Sequence, residues 1–160
     1  LQKLTENDLS EVIERVLQMN EDLFKEKAIV IKRSFADLPE FSFDKDMIIE
    51  VLENIFLNAV DSMSGGGNLT VSTEKEAGAG QFNVIIRIQD TGGGISDEQM
   101  EFIFEPFYTT KAAEQGTGLG LSITKKIMES LGGKVEIESE VGKGAAVILS
   151  LPYRVNQNPG

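Results

Sequence analysis

Glu50, Asn54, Asn58 and Asp61 are spaced by four, four and three residues, so a helix would set them in one stripe. On that helix Ile48, Leu52, Ile55, Phe56, Ala59 and Met63 form an apolar face. Asparagine is a mediocre helix former because its side chain competes for backbone partners, yet both asparagines stand between hydrophobic neighbours. A stripe of neutral amide oxygens with one or two carboxylates suits Mg²⁺, which takes hard oxygen donors and keeps several waters. A solvated helix face has the same pattern, and the stripe alone does not choose between the two.

Two glycine loops follow. Asp90-Thr91-Gly92-Gly93-Gly94-Ile95 comes after an expected strand. Its glycines let the backbone approach a flat ligand and take positive φ. An Asp at the strand end can accept a hydrogen bond from an exocyclic amine such as adenine's; a tight turn with a capping Asp has the same sequence. Gly116-Thr117-Gly118-Leu119-Gly120-Leu121 opens an expected helix, where free amides and the helix dipole suit phosphate. It is not a Walker A loop, because no Gly-Lys-Ser/Thr follows at the required spacing. It is not the dinucleotide fingerprint either, because Leu121 holds the sixth position. Between the loops runs Phe102-Ile103-Phe104-Glu105-Pro106-Phe107-Tyr108-Thr109-Thr110-Lys111. A long irregular stretch in a small domain suits a lid over a nucleotide, with Lys111 placed to meet a γ-phosphate. An ordinary surface loop anchored by Phe102, Phe104 and Phe107 is the alternative.

These segments need a scaffold. Residues 5–26 have helical spacing of Leu9, Val12, Ile13, Val16, Leu17 and Leu23, with Thr5 and Asp8 as a capping box. Ala28–Phe35 alternates like a half-buried strand, and Pro39 ends that unit. Asp44 caps a long helix reaching about Met63, and residues 64–68 turn on three glycines. Leu69–Glu74 and Phe82–Gln89 read as strands around residues 78–80. Ser96 caps a short helix to Phe104. A third long helix spans about 118–131, stopped by Gly132. Lys134–Ser139 and Ala145–Leu151 pair as a hairpin. The expected fold is α+β: a two-layer α/β sandwich with a mixed, mostly antiparallel sheet of about five strands and three long helices on one face. One domain over residues 1–154 and a polar tail over 155–160 account for the chain.

Its 160 residues suit one domain, with 41% hydrophobic and 26% charged residues as in ordinary globular proteins. No cysteine or histidine is present, which excludes disulfides, thiolate and imidazole metal sites, and phosphohistidine on this chain. A net charge of −11 argues against nucleic acid and anionic membranes as partners. No apolar run approaches a membrane span. The chain reads as a cytoplasmic piece of a larger protein.

Each motif is weak alone, but their order is not. Asn54-x3-Asn58-Ala59, Asp90-x-Gly92-x-Gly94-Ile95, Phe104-Glu105-Pro106-Phe107 and Gly116-Thr117-Gly118-Leu119-Gly120-Leu121 resemble the N, G1, F and G2 boxes of sensor histidine kinases. The resemblance covers about residues 7 to 153, and the Phe-Tyr-Thr-Thr-Lys wording is similar to the branch that includes the nitrogen-regulation kinases.

The resemblance implies the Bergerat ATP-binding fold shared with gyrase B subunits, MutL and heat-shock chaperones. It implies ATP and Mg²⁺ as ligands, with Asn58 on the metal and Asn54 and Asp61 nearby. Asp90 would read the adenine amine, Gly92, Gly94 and Ile95 would floor the base pocket, and Gly116, Thr117, Gly118, Leu119, Gly120 and Leu121 would wrap the phosphates. Asn54 stands where ATP-hydrolysing relatives of this fold carry a glutamate base, and an amide cannot act as a base. Such a site holds ATP for a better nucleophile: a histidine on a separate dimerisation domain of the same kinase. Asn54 and Lys111 are then the residues nearest the chemistry. A downstream response regulator and a homodimeric full-length kinase follow from the same resemblance, with the isolated domain a monomer and membrane attachment of the full-length protein left open. Asp61, Thr109 and Ala145 depart from the family pattern; Ala145 replaces a common threonine near the adenine. An anti-sigma-factor-type serine kinase shares the fold but fits the Phe-Glu-Pro-Phe box less well. A degenerate nucleotide site used only for partner contact is disfavoured by the intact Asn58, Asp90 and glycine loops.

Overall fold

The structure is a computed structural model and describes residues 3–77, 82–105 and 120–153. In chain order the elements are β1 (Thr5–Asn7), α1 (Leu9–Met19), α2 (Glu21–Glu26), β2 (Ile29–Ser34), β3 (Phe41–Phe43), α3 (Lys45–Ser62), β4 (Gly67–Ala77), β5 (Phe82–Asp90), α4 (Asp97–Met100), α5 (Gly120–Ser130), β6 (Lys134–Glu140) and β7 (Gly144–Pro152). Five strands make one sheet in the order β2-β4-β5-β7-β6. Only β2 and β4 pair in parallel; the other neighbours are antiparallel. This is the expected mixed, mostly antiparallel sheet. A separate two-stranded ladder joins β1 to β3.

The amphipathic period explains the layers. On α3, Ile48, Val51, Leu52, Ile55, Phe56, Ala59 and Val60 are buried. They meet Leu9, Ile13, Val16 and Leu17 of α1, Met128 and Leu131 from α5 and its end, and the inward residues Leu69, Val71, Val84, Ile86, Ile88, Leu149 and Leu151 of the sheet. Burying each such side chain contributes about 1.5–3 kcal/mol. On the other face, Lys32, Ser72, Arg87 and Glu138 stand in neighbouring rows, and Arg87 pairs with Glu138 at 2.9 Å.

Several boundaries differ from the sequence expectation: β4 runs Gly67–Ala77, longer than 69–74 at both ends, and β3 was not expected. The first helix does not start at Thr5: residues 5–7 pair with residues 41–43, and Asp8 is the N-cap, accepting from the Glu11 amide at 3.2 Å. Ladder bonds to β3 outcompete an extra turn. That helix also breaks at Asn20, whose side chain donates to the Val16 carbonyl and to Glu53 Oε1, both at 2.9 Å, taking a carbonyl that a continuing helix would use. The Ser96-capped helix ends at Met100, short of Phe104. Its capping box with Gln99 is present.

At one end of the sheet Tyr153 stacks between Phe82 (4.2 Å) and Phe41 (5.5 Å). β5 starts at this aromatic end with Phe82 and runs to Asp90 at the other.

Candidate functional site

α3 forms one wall. Its N-cap Asp44 is buried and accepts from the Met47 amide at 3.2 Å through Oδ1 and from the Lys3 amide at 2.8 Å through Oδ2. With the apolar face locked into the core, the rotation of α3 is fixed. Asn54 and Asn58 then sit at the margin, half-buried, while Glu50 and Asp61 are exposed. The stripe divides into two half-buried amides and two exposed carboxylates.

β5 ends against this wall at Asp90, which is 9% exposed. Its Oδ1 accepts from the Gly92 amide at 2.8 Å and from the Ala145 amide at 3.3 Å. Ser62 at the end of α3 lies close by, its hydroxyl donating to the Ala59 carbonyl at 2.8 Å. Burial raises the carboxyl above its ordinary 3.8, and the bonds from Gly92 and Ala145 pull it back only in part.

The glycine loop after Asp90 is clamped on both sides. A methyl on Gly92 would lie 2.5 Å from the Ser62 carbonyl oxygen and 2.6 Å from its hydroxyl. A methyl on Gly94, at φ +77°, would lie 2.3 Å from the Glu140 carbonyl oxygen. Gly93 faces open space. The spacing Asp-x-Gly-x-Gly thus has a steric basis. Gly142 donates to the Gly93 carbonyl at 2.8 Å, and the Ile95 amide donates to Ser139 Oγ at 2.6 Å. Ser139 in turn donates to the Gly144 carbonyl at 3.1 Å. The end of α3 and the β6–β7 turn hold the loop between them.

α5 begins at Gly120 and packs along α3, with Leu121 half-buried at its start. The structure therefore sets Gly92, beside Asp90, against Ser62 at the end of α3, and Gly94 and Ile95 against Glu140 and Ser139 at the end of β6; Asn54, Asn58 and Asp61 stand earlier on α3. Thr109, Lys111, Gly116, Thr117, Gly118 and Leu119 lie outside the described residues.

Two contributors, Ser62 and Ser139, escaped the sequence reading, and a third, position 145, was expected near the adenine only through its side chain. Ser62 continues the Asn54, Asn58 spacing by four, a signal that was available. Ser139 is a polar residue on the alternation of Val135 and Ile137, also legible as an exception. The Ala145 main-chain amide carries no sequence signal, since any residue but proline supplies it.

The family model described as "Histidine kinase-, DNA gyrase B-, and HSP90-like ATPase" matches residues 43–155. The chain is 37% identical over 151 residues to the sensor histidine kinase ZraS of Escherichia coli (strain K12), covering 94% of this chain and 31% of that protein. It spans about a third of the length of the first curated relatives it matches. The catalytic domain of histidine kinase ThkA, in a nucleotide-free form, superposes with a TM-score of 0.84 at 31% identity, covering 96% of this chain and 97% of that one. Full-length ShkA in complex with AMPPNP superposes with a TM-score of 0.82 at 28% identity, covering 100% of this chain and 33% of that one. By this family match and these relatives, the chain belongs to the histidine kinase-, DNA gyrase B- and HSP90-like ATPase family and is homologous within it to the sensor histidine kinases.

Proposed function

We propose that the chain binds Mg²⁺–ATP and donates the γ-phosphoryl group to a histidine on a separate dimerisation domain of the same full-length kinase. The observation that carries this is Asp90: both main-chain amides go to Oδ1, leaving Oδ2 for an exocyclic amine, beside a Gly92 that has no room for a side chain. A carboxylate with one oxygen fixed is a directed acceptor, and the bare loop admits a flat base.

The donor set fits the expected ion. Among the described residues no group of three or more Asp, Glu, His or Cys side chains forms a cation cage, and Asn58 offers one amide oxygen. Mg²⁺ accepts such a sparse protein shell when phosphate oxygens and water complete it; when bound, it neutralises charge on the phosphates. Asp90 orients the base, Gly92, Gly94 and Ile95 floor it, Gly116–Leu121 offer amides to the phosphates, and Lys111 meets the γ-phosphate. A histidine nitrogen of the partner domain forms the new bond to phosphorus as the β–γ bridging bond breaks and ADP leaves. This reaction needs mainly positioning and charge neutralisation. Asn54 supplies no base, so water is not activated. A response regulator then receives the phosphoryl group, the full-length kinase is a homodimer, and the isolated domain is a monomer. Neither nucleic acid nor an anionic surface is a partner for so acidic a chain.

Calorimetry of the chain with ADP, with and without Mg²⁺, tests the binding. Binding strengthened by Mg²⁺ is expected; none at millimolar ligand overturns the proposal. Labelled ATP added with the histidine-bearing domain tests the transfer: label belongs on that domain's histidine, and a stable phosphoprotein from this chain alone contradicts it.

A further inference from the structure

Ser139 stands near the end of β6, opposite Ala145 in the ladder with β7. The strand's alternation leaves its neighbours Glu138 and Glu140 exposed and turns Ser139 to the half-buried side, with Val135 and Ile137. A serine in that row needs a reason, and its hydrogen bonds supply one. The hydroxyl accepts from the Ile95 amide at 2.6 Å and donates to the Gly144 carbonyl at 3.1 Å, which uses its one proton. The Gly144 carbonyl and the Ala145 amide belong to a single planar peptide unit. That amide donates to Asp90 Oδ1 at 3.3 Å. The unit lies hard against the end of β5: a methyl on Gly144, at φ +102°, would lie 2.1 Å from the Asp90 carbonyl oxygen. A relay thus runs from the Ile95 amide through the Ser139 hydroxyl and the Gly144–Ala145 peptide to the Asp90 carboxylate. It ties the last residue of the glycine run to its first by a route outside the run itself. Each donor points the same way along the relay, and bonds so arranged polarise one another.

We propose that Ser139 is a positioning residue for base recognition: through the Gly144–Ala145 peptide it holds the Asp90 carboxylate toward the exocyclic amine of a nucleotide base. This rests on the adenine-reading role given to Asp90 above. Ser139 acts through another residue, so its effect depends on the base. An amine donates to the oriented carboxylate, whereas a carbonyl at the same place meets it lone pair to lone pair. Holding Asp90 in place therefore improves the first interaction and does nothing for the second.

The test compares ADP with inosine diphosphate, which carries a carbonyl in place of the amine, by calorimetry on the chain, on Ser139→Ala and on Ser139→Thr. The unaltered chain favours ADP by about tenfold or more, the worth of one charge-assisted bond. Ser139→Ala weakens ADP by about three- to tenfold and leaves inosine diphosphate within about twofold, which also shows that the pocket still folds. Ser139→Thr keeps the hydroxyl on a residue that suits a strand and retains the preference. With Asp90→Asn already in place, no charged acceptor is left to orient, and Ser139→Ala weakens ADP no further. Equal loss for both nucleotides, no loss for either, or an undiminished loss beside Asp90→Asn overturns the assignment and leaves the nucleotide-binding reading intact. An unaltered chain with no preference for ADP, or no affinity for it, overturns the reading of Asp90 as well.

Discussion

The Gly92 amide donates to Oδ1 of Asp90 at 2.8 Å, two residues back along the chain. Main-chain donors make the carboxylate's orientation a property of the loop, while its burial raises its pKa. The two effects give the first prediction. Asp90→Asn keeps an oxygen for Gly92 and Ala145 but loses the charged acceptor, so ADP affinity should fall about 10-fold or more. The same change should raise stability near neutral pH, because it removes a charge that burial penalises. The pH dependence has a definite sign. A raised native pKa means the folded state holds the proton more tightly than the unfolded one. This group's contribution is thus fully present below the ordinary value of 3.8 and is lost as pH rises through the raised native value. The stability gap between Asp90→Asn and the unaltered chain should widen across that window and stay constant above it. Urea denaturation at several pH values measures it, and a gap that narrows with rising pH refutes it.

Neighbouring glycines should respond oppositely. Gly92→Ala meets Ser62 backbone at 2.5 Å, so the end of α3 or the loop must move. Overpacking of this kind costs about 1–3 kcal/mol and should also weaken ADP. Gly93→Ala meets nothing and should stay within about 0.5 kcal/mol. Thermal melts and ADP titrations of the two variants, side by side, provide the check.

Ala28 sits just past α2 at φ 57°, the left-handed position that usually takes glycine after a helix. It is exposed, and its carbonyl accepts from the Gly67 amide at 3.2 Å. Ala28→Gly should stabilise the fold by about 0.5–1 kcal/mol, since relief of the left-handed penalty exceeds glycine's entropy cost. The urea midpoint should rise with unchanged slope.

Thr124 lies in the inward stripe of α5 with Met128 and Leu131. It is 0% exposed, and among the described residues its hydroxyl has no hydrogen-bond partner. Thr124→Val keeps the shape and removes the unpaired group, so a gain of about 1 kcal/mol is expected. A loss instead would show that the hydroxyl has a partner in solution. Chemical denaturation distinguishes the two.

Much of this protein was legible in its sequence because periodicity and turn chemistry are local. The apolar period of α3 and its Asp44 cap, the alternation of β4 to β7, and the stop at Gly132 needed only neighbouring residues. The ordered motifs named the family and placed Asn54, Asn58, Asp90, Gly92 and Gly94 as candidates. What happens to each depended on distant partners. That Thr5–Asn7 is a strand follows from residues 41–43. Asn20 ends a helix partly because Glu53 offers a partner 33 positions away. Gly92 and Gly94 must be glycine, and Gly93 need not be, because Ser62 and Glu140 approach only two of the three positions. The sequence determined that Asp90 is present and ends a strand. The tertiary structure decided that it is buried, that Ala145 holds it from 55 residues away, and that Ser62 stands beside it, because burial and long-range hydrogen bonds arise only when separate elements pack against one another.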